Sequence, residues 1–324
     1  MTAPRRVLLV FIDGVGIGAG DAEFNPFAVA RLPALRSLLG GRLPVADDLD
    51  ANGRIVTGCA ALAAADATMG MAGTPQSGTG QTALLTGRNT AEMFGRHFGP
   101  WVPTGIREML GAESLLARAV AAGRSAAFAN AYPVARIEAD PRIFRRPAAP
   151  PLAARAVGLL TRDIPELVAG RAIASSITND RWRERIDSIP QLSAEQAGRN
   201  LAGIAAEAEV TLFAHYDTDH AGHRGGMEGA IAALEKVDAF LGGLVAALPA
   251  DALLVVSSDH GNVEDTRDGH TRNPVPVLAV GPGREELAER ARAITDVTPA
   301  LLDLLGIAHG DVPLPSDTES GDRI

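Results

Sequence analysis

Three of the chain's seven histidines (His215, His220, His223) and two aspartates (Asp217, Asp219) are crowded into FAHYDTDHAGH, residues 213–223. Asp219 and His223 stand four residues apart, so one helical turn would aim both at the same ion. His215 and His220 read as loop residues rather than ligands. Further on, SDHGN supplies Asp259 and His260, and DGHTRNPVPV supplies His270. An apolar run near the N-terminus ends in Asp13-Gly14. Three carboxylates and three imidazoles suit two divalent cations, each with mixed oxygen and nitrogen ligands. Taken singly, each residue has a plainer role: Asp-Gly after a strand makes a turn, and a lone histidine sits on a surface. Their repeated placement beside strands is what points to a metal centre.

A hydroxyl nucleophile is available in GTPQSGTGQTALLTG, residues 73–87. Glycines and a proline precede a helix expected to begin near Ser77. There the free N–H groups, from Thr79 onward, and the helix dipole would favour an anion such as phosphate. A metal-bound serine alkoxide is a good nucleophile at neutral pH. Thr79 is a rival for the role.

The elements that must position these groups are legible as alternating short apolar runs and longer helical patterns, the mark of an α/β fold with a mostly parallel sheet flanked by helices. The clearest strands are Val7–Ile12, Val210–Ala214, Leu253–Ser257 and Val275–Val280. Helices are expected over Ala28–Leu39, stopped by Gly40-Gly41, and over Met227–Leu248. A third should occupy TDVTPALLDLLGI, with Thr295 or Asp296 as N-cap and Gly306 as stop. In a parallel sheet the carboxyl ends of the strands share one edge, where ligands bind. That edge could gather Asp13, Asp219, His223, Asp259, His260 and His270. Between residues 131 and 192 the chain becomes proline-rich and basic, with no strong buried strand. This segment reads as a small inserted cap, leaving 1–130 and 193–324 as the catalytic core. The polar tail after Gly310 is expected to fray.

Composition narrows the function further. The chain has 324 residues, 46% of them hydrophobic, enough for one sizeable core. Acidic residues outnumber basic ones 39 to 30, for a net charge of −9. A nucleic-acid partner would need the opposite balance. No apolar run approaches the ~20 residues of a membrane helix. Cys59, the single cysteine, allows no internal disulfide and fits a reducing cytoplasm. Nothing in the sequence specifies an oligomer.

Together these motifs resemble the alkaline phosphatase superfamily of two-metal enzymes, and more narrowly its branch of cofactor-independent phosphoglycerate mutase and phosphopentomutase. The resemblance rests on Asp13-Gly14, Ser77 before Gly78, the Asp219–His223 pair, DHGN at 259–262 and HTRNPVP at 270–276. It implies an alkaline-phosphatase-like core and two divalent ions, Mn²⁺ or Zn²⁺. Asp219, His223 and His270 would hold one; Asp13, Ser77, Asp259 and His260 would hold the other. It further implies phosphoryl transfer to or from a small phosphorylated substrate through a phosphoserine at Ser77. The nucleophile loop departs from the pattern, with Gln76 where Asn or Asp precedes the nucleophile and Gly80-Gln81 where Gly-His follows. The chain is also shorter than either mutase, and the difference falls in the cap, which selects the substrate in this superfamily. Hydrolysis of a phosphodiester, phosphonate or sulfate ester is the alternative on the same core. The sulfatase C/S-x-P-x-R motif is missing around Ser77. Arg142, Arg145, Arg146 and Arg162 of the cap are candidates to grip the substrate's anionic groups.

Overall fold

The structure, a computed structural model, describes residues 3–267 and 269–308; the polar tail lies outside them. Seven strands form one sheet: β1 (Arg6–Ile12), β2 (Arg54–Val56), β3 (Ala60–Ala65), β4 (Ala126–Phe128), β5 (Val210–His215), β6 (Ala252–Ser257) and β7 (Val275–Val280). Their order is β2-β3-β7-β6-β1-β5-β4. β1 pairs in parallel with both β5 and β6, and β4 in parallel with β5. β7 runs antiparallel to β6 and to β3, and β2 antiparallel to β3. All but β7 and β2 therefore run the same way.

The run RVLLVFI forms a central strand because both its faces are apolar, as a strand covered on two sides requires. Its alternation divides the core. Val7, Leu9 and Phe11 join the apolar cluster on one face, whereas Leu8, Val10 and Ile12 join the cluster on the other. Helices Ser77–Thr86, Leu115–Ala121, Ala149–Ala156 and Ile294–Leu304 cover the first face. Helices Pro33–Leu38, Ala194–Ala206 and Gly226–Ala247 cover the second. Within 131–192, Ala131, Leu167, Ala172, Ala174 and Ile189 make a small apolar cluster of their own, packed by Ile164, Trp182 and Ile186. The helix Ala149–Ala156 from the same stretch belongs instead to the first face of the sheet.

The long helix, Gly226–Ala247, agrees closely with expectation. The one expected over Ala28–Leu39 does not form as a unit. It is a 3-10 turn at Pro26–Ala28 followed by a helix at Pro33–Leu38. Pro33 has no N–H to donate and disfavours helical backbone at Leu32, so it favours the start of a helix over its interior. Gly40 and Gly41 follow it with φ of 65° and 89°, and Gly41 N–H donates to Arg36 O at 2.7 Å. In the last helix Asp296 lies a turn inside rather than at the cap, and its carboxylate reaches back to the N–H groups of Arg292 and Ala293. Gly306, with φ of 68°, follows its end.

Leu32 offers no side-chain oxygen to the start of Pro33–Leu38. The carboxylate of Asp238, from the long helix, does so instead, accepting from Ala34 N at 3.0 Å and Leu35 N at 2.8 Å. Asp238 is buried, so its removal leaves two amides unsatisfied and breaks a tie between two helices. Asp238→Ala should lower unfolding stability by about 1–3 kcal/mol in guanidinium denaturation. A variant as stable as the parent would show that the carboxylate does not anchor this pair.

Candidate metal centre

All the candidate Asp and His ligands except His270 follow the end of a strand. β1 runs into Asp13, whose backbone N–H donates to His215 O at 2.9 Å. β5 runs into the helix Asp217–Arg224, which carries Asp219 and His223 one turn apart. That helix is tied back when Thr218 Oγ1 donates to Asp13 O at 2.5 Å. β6 runs into Ser258, Asp259 and His260. His270 stands before β7 rather than after it, and a parallel β7 would carry it to the opposite edge. Because β7 is antiparallel to β6, its beginning lies beside the ends of β1, β5 and β6. An isolated antiparallel bridge between Gly261 and Thr271 then fastens the two loops together.

The side chains fall into two groups. Asp219, His223 and His270 form one and Asp13, Asp259 and His260 the other; within each, the ligand atoms lie within 4.8 Å of one another. In the first, Asp219 Oδ1 is 3.5 Å from His223 Nε2 and 3.3 Å from His270 Nε2. In the second, His260 Nε2 is 3.4 Å from Asp13 Oδ1 and 3.6 Å from Asp259 Oδ2. The rings of His260 and His270 stack with centroids 3.8 Å apart, which sets the groups side by side. Backbone carbonyls face the outer nitrogens: His270 Nδ1 lies 3.1 Å from Pro75 O and His260 Nδ1 3.3 Å from Gly261 O. A proton on each Nδ1 leaves Nε2 as the free donor atom. Asp13 Oδ1 and Asp259 Oδ2 are buried without any hydrogen-bond partner, a costly state for a carboxylate that lacks a cation.

Ser77 begins the helix Ser77–Thr86, and its Oγ lies 3.0 Å from His260 Nε2. Gly80 allows the approach: a Cβ there would come 2.7 Å from Asp259 O. Gly14, with φ of 68°, does the same for Asp219, since a Cβ would sit 2.6 Å from Asp219 Oδ1. The Thr79 hydroxyl is turned away, donating to Gln76 O at 3.2 Å and accepting from Phe98 N at 3.1 Å. The helix amides expected to face an anion are partly consumed, because Thr79 N donates to Phe98 O and Gly80 N to Gln76 O. Among the described residues, the Ser77 and Gly78 N–H groups have no acceptor. Gln81 donates to Asp13 Oδ2 at 3.2 Å and accepts from Ala149 N at 3.2 Å, joining the site to the helix Ala149–Ala156.

Three features escape sequence reasoning. Buried Glu264 accepts from Gly16 N at 2.9 Å, Asn262 N at 2.7 Å, Thr271 Oγ1 at 2.5 Å and Asn273 Nδ2 at 3.0 Å. Asn262, the last residue of DHGN, donates to Asp219 Oδ1 at 2.6 Å. Arg181, held by Asp217 at 2.6 Å, lines the cleft of about 530 Å³ that Asp13, Asp219 and His223 also line. Only the acidic residue five places after Asp259 offered a sequence signal for the first. The four arginines singled out earlier are otherwise engaged or exposed. Arg142 pairs with Asp140, Arg146 lies over the Trp101 ring, Arg162 donates to Phe128 O and Arg171 O, and Arg145 is exposed. His215, buried with Nδ1 2.7 Å from Ser175 O, and exposed His220 belong to neither group.

Residues 184–309 match the family described as Metalloenzyme superfamily. Asp219, His223, Asp259, His260 and His270 lie within that match, whereas Asp13 and Ser77 precede it. The chain resembles the metalloenzymes of the alkaline phosphatase superfamily. The 2,3-bisphosphoglycerate-independent phosphoglycerate mutase of Syntrophotalea carbinolica is 43% identical over 131 residues, covering 37% of this chain and 26% of that protein. The Cereibacter sphaeroides enzyme of the same name is 33% identical over 156 residues, covering 45% of this chain and 30% of that protein. The match thus spans under a third of either relative. Among solved structures, a Pyrococcus horikoshii protein superposes with a TM-score of 0.56 at 14% identity, covering 96% of this chain and 99% of that one. The alkaline phosphatase of the Antarctic bacterium TAB5 superposes with a TM-score of 0.52 at 13% identity, covering 95% and 100%. The fold is alkaline-phosphatase-like. No helix among the described residues is long and apolar enough to cross a membrane.

Electrostatics in this resemblant centre follow from burial and crowding. Burial, reinforced by Asp259 and Asp219, holds the Asp13 carboxyl well above the usual carboxylate range. Burial also raises Asp259. Burial opposes ionisation of Asp219 as well, but the hydrogen bond from His270, the charge of His260 and the Asn262 amide hold it at about 2. For His270 burial acts downward and Asp219 outweighs it, so the ring binds its proton more tightly than usual. His223 is lowered, chiefly by burial. Asp13, Asp259 and His270, all raised, contribute stability below their unfolded pKa values and lose it as pH climbs through the folded ones. A cation requires all three deprotonated, so it takes the place of those protons. The rise in melting temperature given by saturating Mn²⁺ should therefore be larger at pH 8 than at pH 6. A shift that is equal at both, or larger at pH 6, would mean that these groups do not bind the ion.

Proposed function

We propose that the chain is a two-metal phosphoryl-transfer enzyme of the cytoplasm, a phosphomutase or phosphatase acting on a small phosphomonoester through a phosphoserine at Ser77. The observation that carries this reading is the meeting of two Asp/His groups, side by side through the stacked His260 and His270 rings, at the hydroxyl of Ser77. The unpartnered oxygens of Asp13 and Asp259 fit a cation between them. Asp219, His223 and His270 would hold one ion; Asp13, Asp259, His260 and Ser77 would hold the other. Mixed oxygen and nitrogen donors suit Mn²⁺ or Zn²⁺.

When bound, the two ions activate the serine hydroxyl and withdraw charge from the phosphoryl oxygens. The chain's own residues do the rest. Ser77 Oγ forms the new bond to phosphorus, and the substrate's alcohol oxygen leaves with its bonding pair. The free N–H groups of Ser77 and Gly78 are the amides left to steady charge on the phosphoryl group. Gln81 keeps Asp13 Oδ2 occupied, so that Oδ1 is the oxygen presented to the site. The phosphoryl group then passes to water in a phosphatase, or back to the substrate in a mutase. Within residues 131–192, the part outside the helix Ala149–Ala156, with its own small apolar cluster, is the cap of this reading.

Ser77→Ala removes the bond-forming atom while deleting one small side chain. Activity on phosphomonoesters should fall by roughly three orders of magnitude or more, with most metal binding retained through the remaining Asp and His ligands. Mass spectrometry of the quenched parent should find one added phosphoryl group on the Ser77 peptide, and Thr79→Ala should still show it there. Full activity in Ser77→Ala, or phosphate on Thr79, would overturn the assignment. Turnover of phosphodiesters, phosphonates or sulfate esters in preference to phosphomonoesters would assign the alternative chemistry to the same core.

A further inference from the structure

Beside the metal cleft lies a second cavity, also about 530 Å³, walled by Ile164, Trp182 and Ile186 and bordered by Arg136, Arg181 and Arg185. Arg181 lines both spaces, and Asp217, two residues before Asp219, holds its guanidinium at 2.6 Å. Arg181 is thus the one side chain common to the linings of the two cavities. Ile164, Trp182 and Ile186 pack on one side against the cluster of Ala131, Leu167, Ala172, Ala174 and Ile189. Among the described residues, neither Arg136 nor Arg185 has an ion pair or side-chain hydrogen bond, and Glu184 is the only carboxylate in the lining.

We propose that this cavity receives the non-phosphoryl part of the substrate, which is an aromatic or bulky apolar alcohol bearing a second anionic group. The proposal rests on the phosphoryl-transfer reading of the metal cleft and adds the substrate class to it. A compact polar phosphomonoester would leave the Trp182 wall wet and two guanidinium groups unanswered. A ring laid on the indole covers the wall, and an anionic substituent at its far end meets Arg136 and Arg185 in charge-assisted hydrogen bonds. The volume lies within the roughly 300–1,000 Å³ typical of small-molecule sites. Arg181, common to both linings, is the cation placed to bond the phosphoryl group or the ester oxygen.

The test is calorimetric titration of the Mn²⁺-loaded protein, its metal content verified by elemental analysis, with methylphosphonate, benzylphosphonate and 4-carboxybenzylphosphonate. None of these carries an ester bond to be cleaved. Benzylphosphonate should bind at least tenfold more tightly than methylphosphonate, and the carboxylated ring several-fold more tightly again. Trp182→Ala should abolish the first gain. Arg136→Gln and Arg185→Gln, at exposed positions that do not threaten folding, should abolish only the second. Equal binding of methyl- and benzylphosphonate by the parent overturns the substrate class and leaves the metal cleft's reading intact. Binding of none of the three by protein that carries two ions overturns the phosphoryl site itself, and the adjoining cavity's role with it.

Discussion

Three carboxylates at one edge of a sheet repel one another, and burial makes the repulsion worse. Asp259 is fully buried and Asp13 is 6% exposed, so little water screens them from each other or from Asp219. At an effective dielectric near 20, two like charges 4 Å apart cost about 4 kcal/mol. The surrounding architecture holds the charges in place against that cost. Strands of β1, β5 and β6 fix the three backbones in parallel register. Gly14 and Gly80 let backbone and carboxylate approach more closely than a side chain would permit. Glu264 contributes yet another buried carboxylate, but one whose oxygens are filled by four donors, one from the segment after β1 and three from the β6–β7 connection. A satisfied carboxylate beside unsatisfied ones separates a structural role from a ligand role.

Much of this was legible in the sequence because apolar runs ending in polar residues report strand ends directly. Val7–Ile12, Val210–Ala214, Leu253–Ser257 and Val275–Val280 all lie within observed strands of nearly the same bounds. Strand polarity was not legible. A run such as VPVLAV has the same pattern in either direction, and a wholly parallel sheet would have separated His270 from Asp219. Pairing between β6 and β7, hidden from local pattern, is what unites them. Pro33 was legible in principle, and the period of the apolar residues around it concealed the break.

Long-range hydrogen bonding accounts for what remained hidden. Glu264 carries no motif of its own; its importance lies in contacts with Gly16, Asn262, Thr271 and Asn273, which only the folded chain brings together. Arg181 was overlooked for the opposite reason. The segment 131–192 is rich in arginine, and charge alone does not distinguish Arg142, paired to its neighbour Asp140, from Arg181, anchored across the fold on Asp217.

The spread of the candidate ligands along the chain also governs when, during synthesis, the two groups can come together. One ligand group joins the first strand to residues about 245 positions later, and the other needs His270 from beyond β6. On the ribosome, a chain that has emerged only as far as β5 presents isolated aspartates and no complete group. The group of Asp13, Asp259 and His260 needs β6 and the residues just after it, and the group of Asp219, His223 and His270 is completed only when the segment leading into β7 docks antiparallel onto β6. Completion of the paired site is thus a late event that reports closure of the sheet, and a chain cut before His270 would keep one candidate group and leave Asp219 and His223 without their third partner.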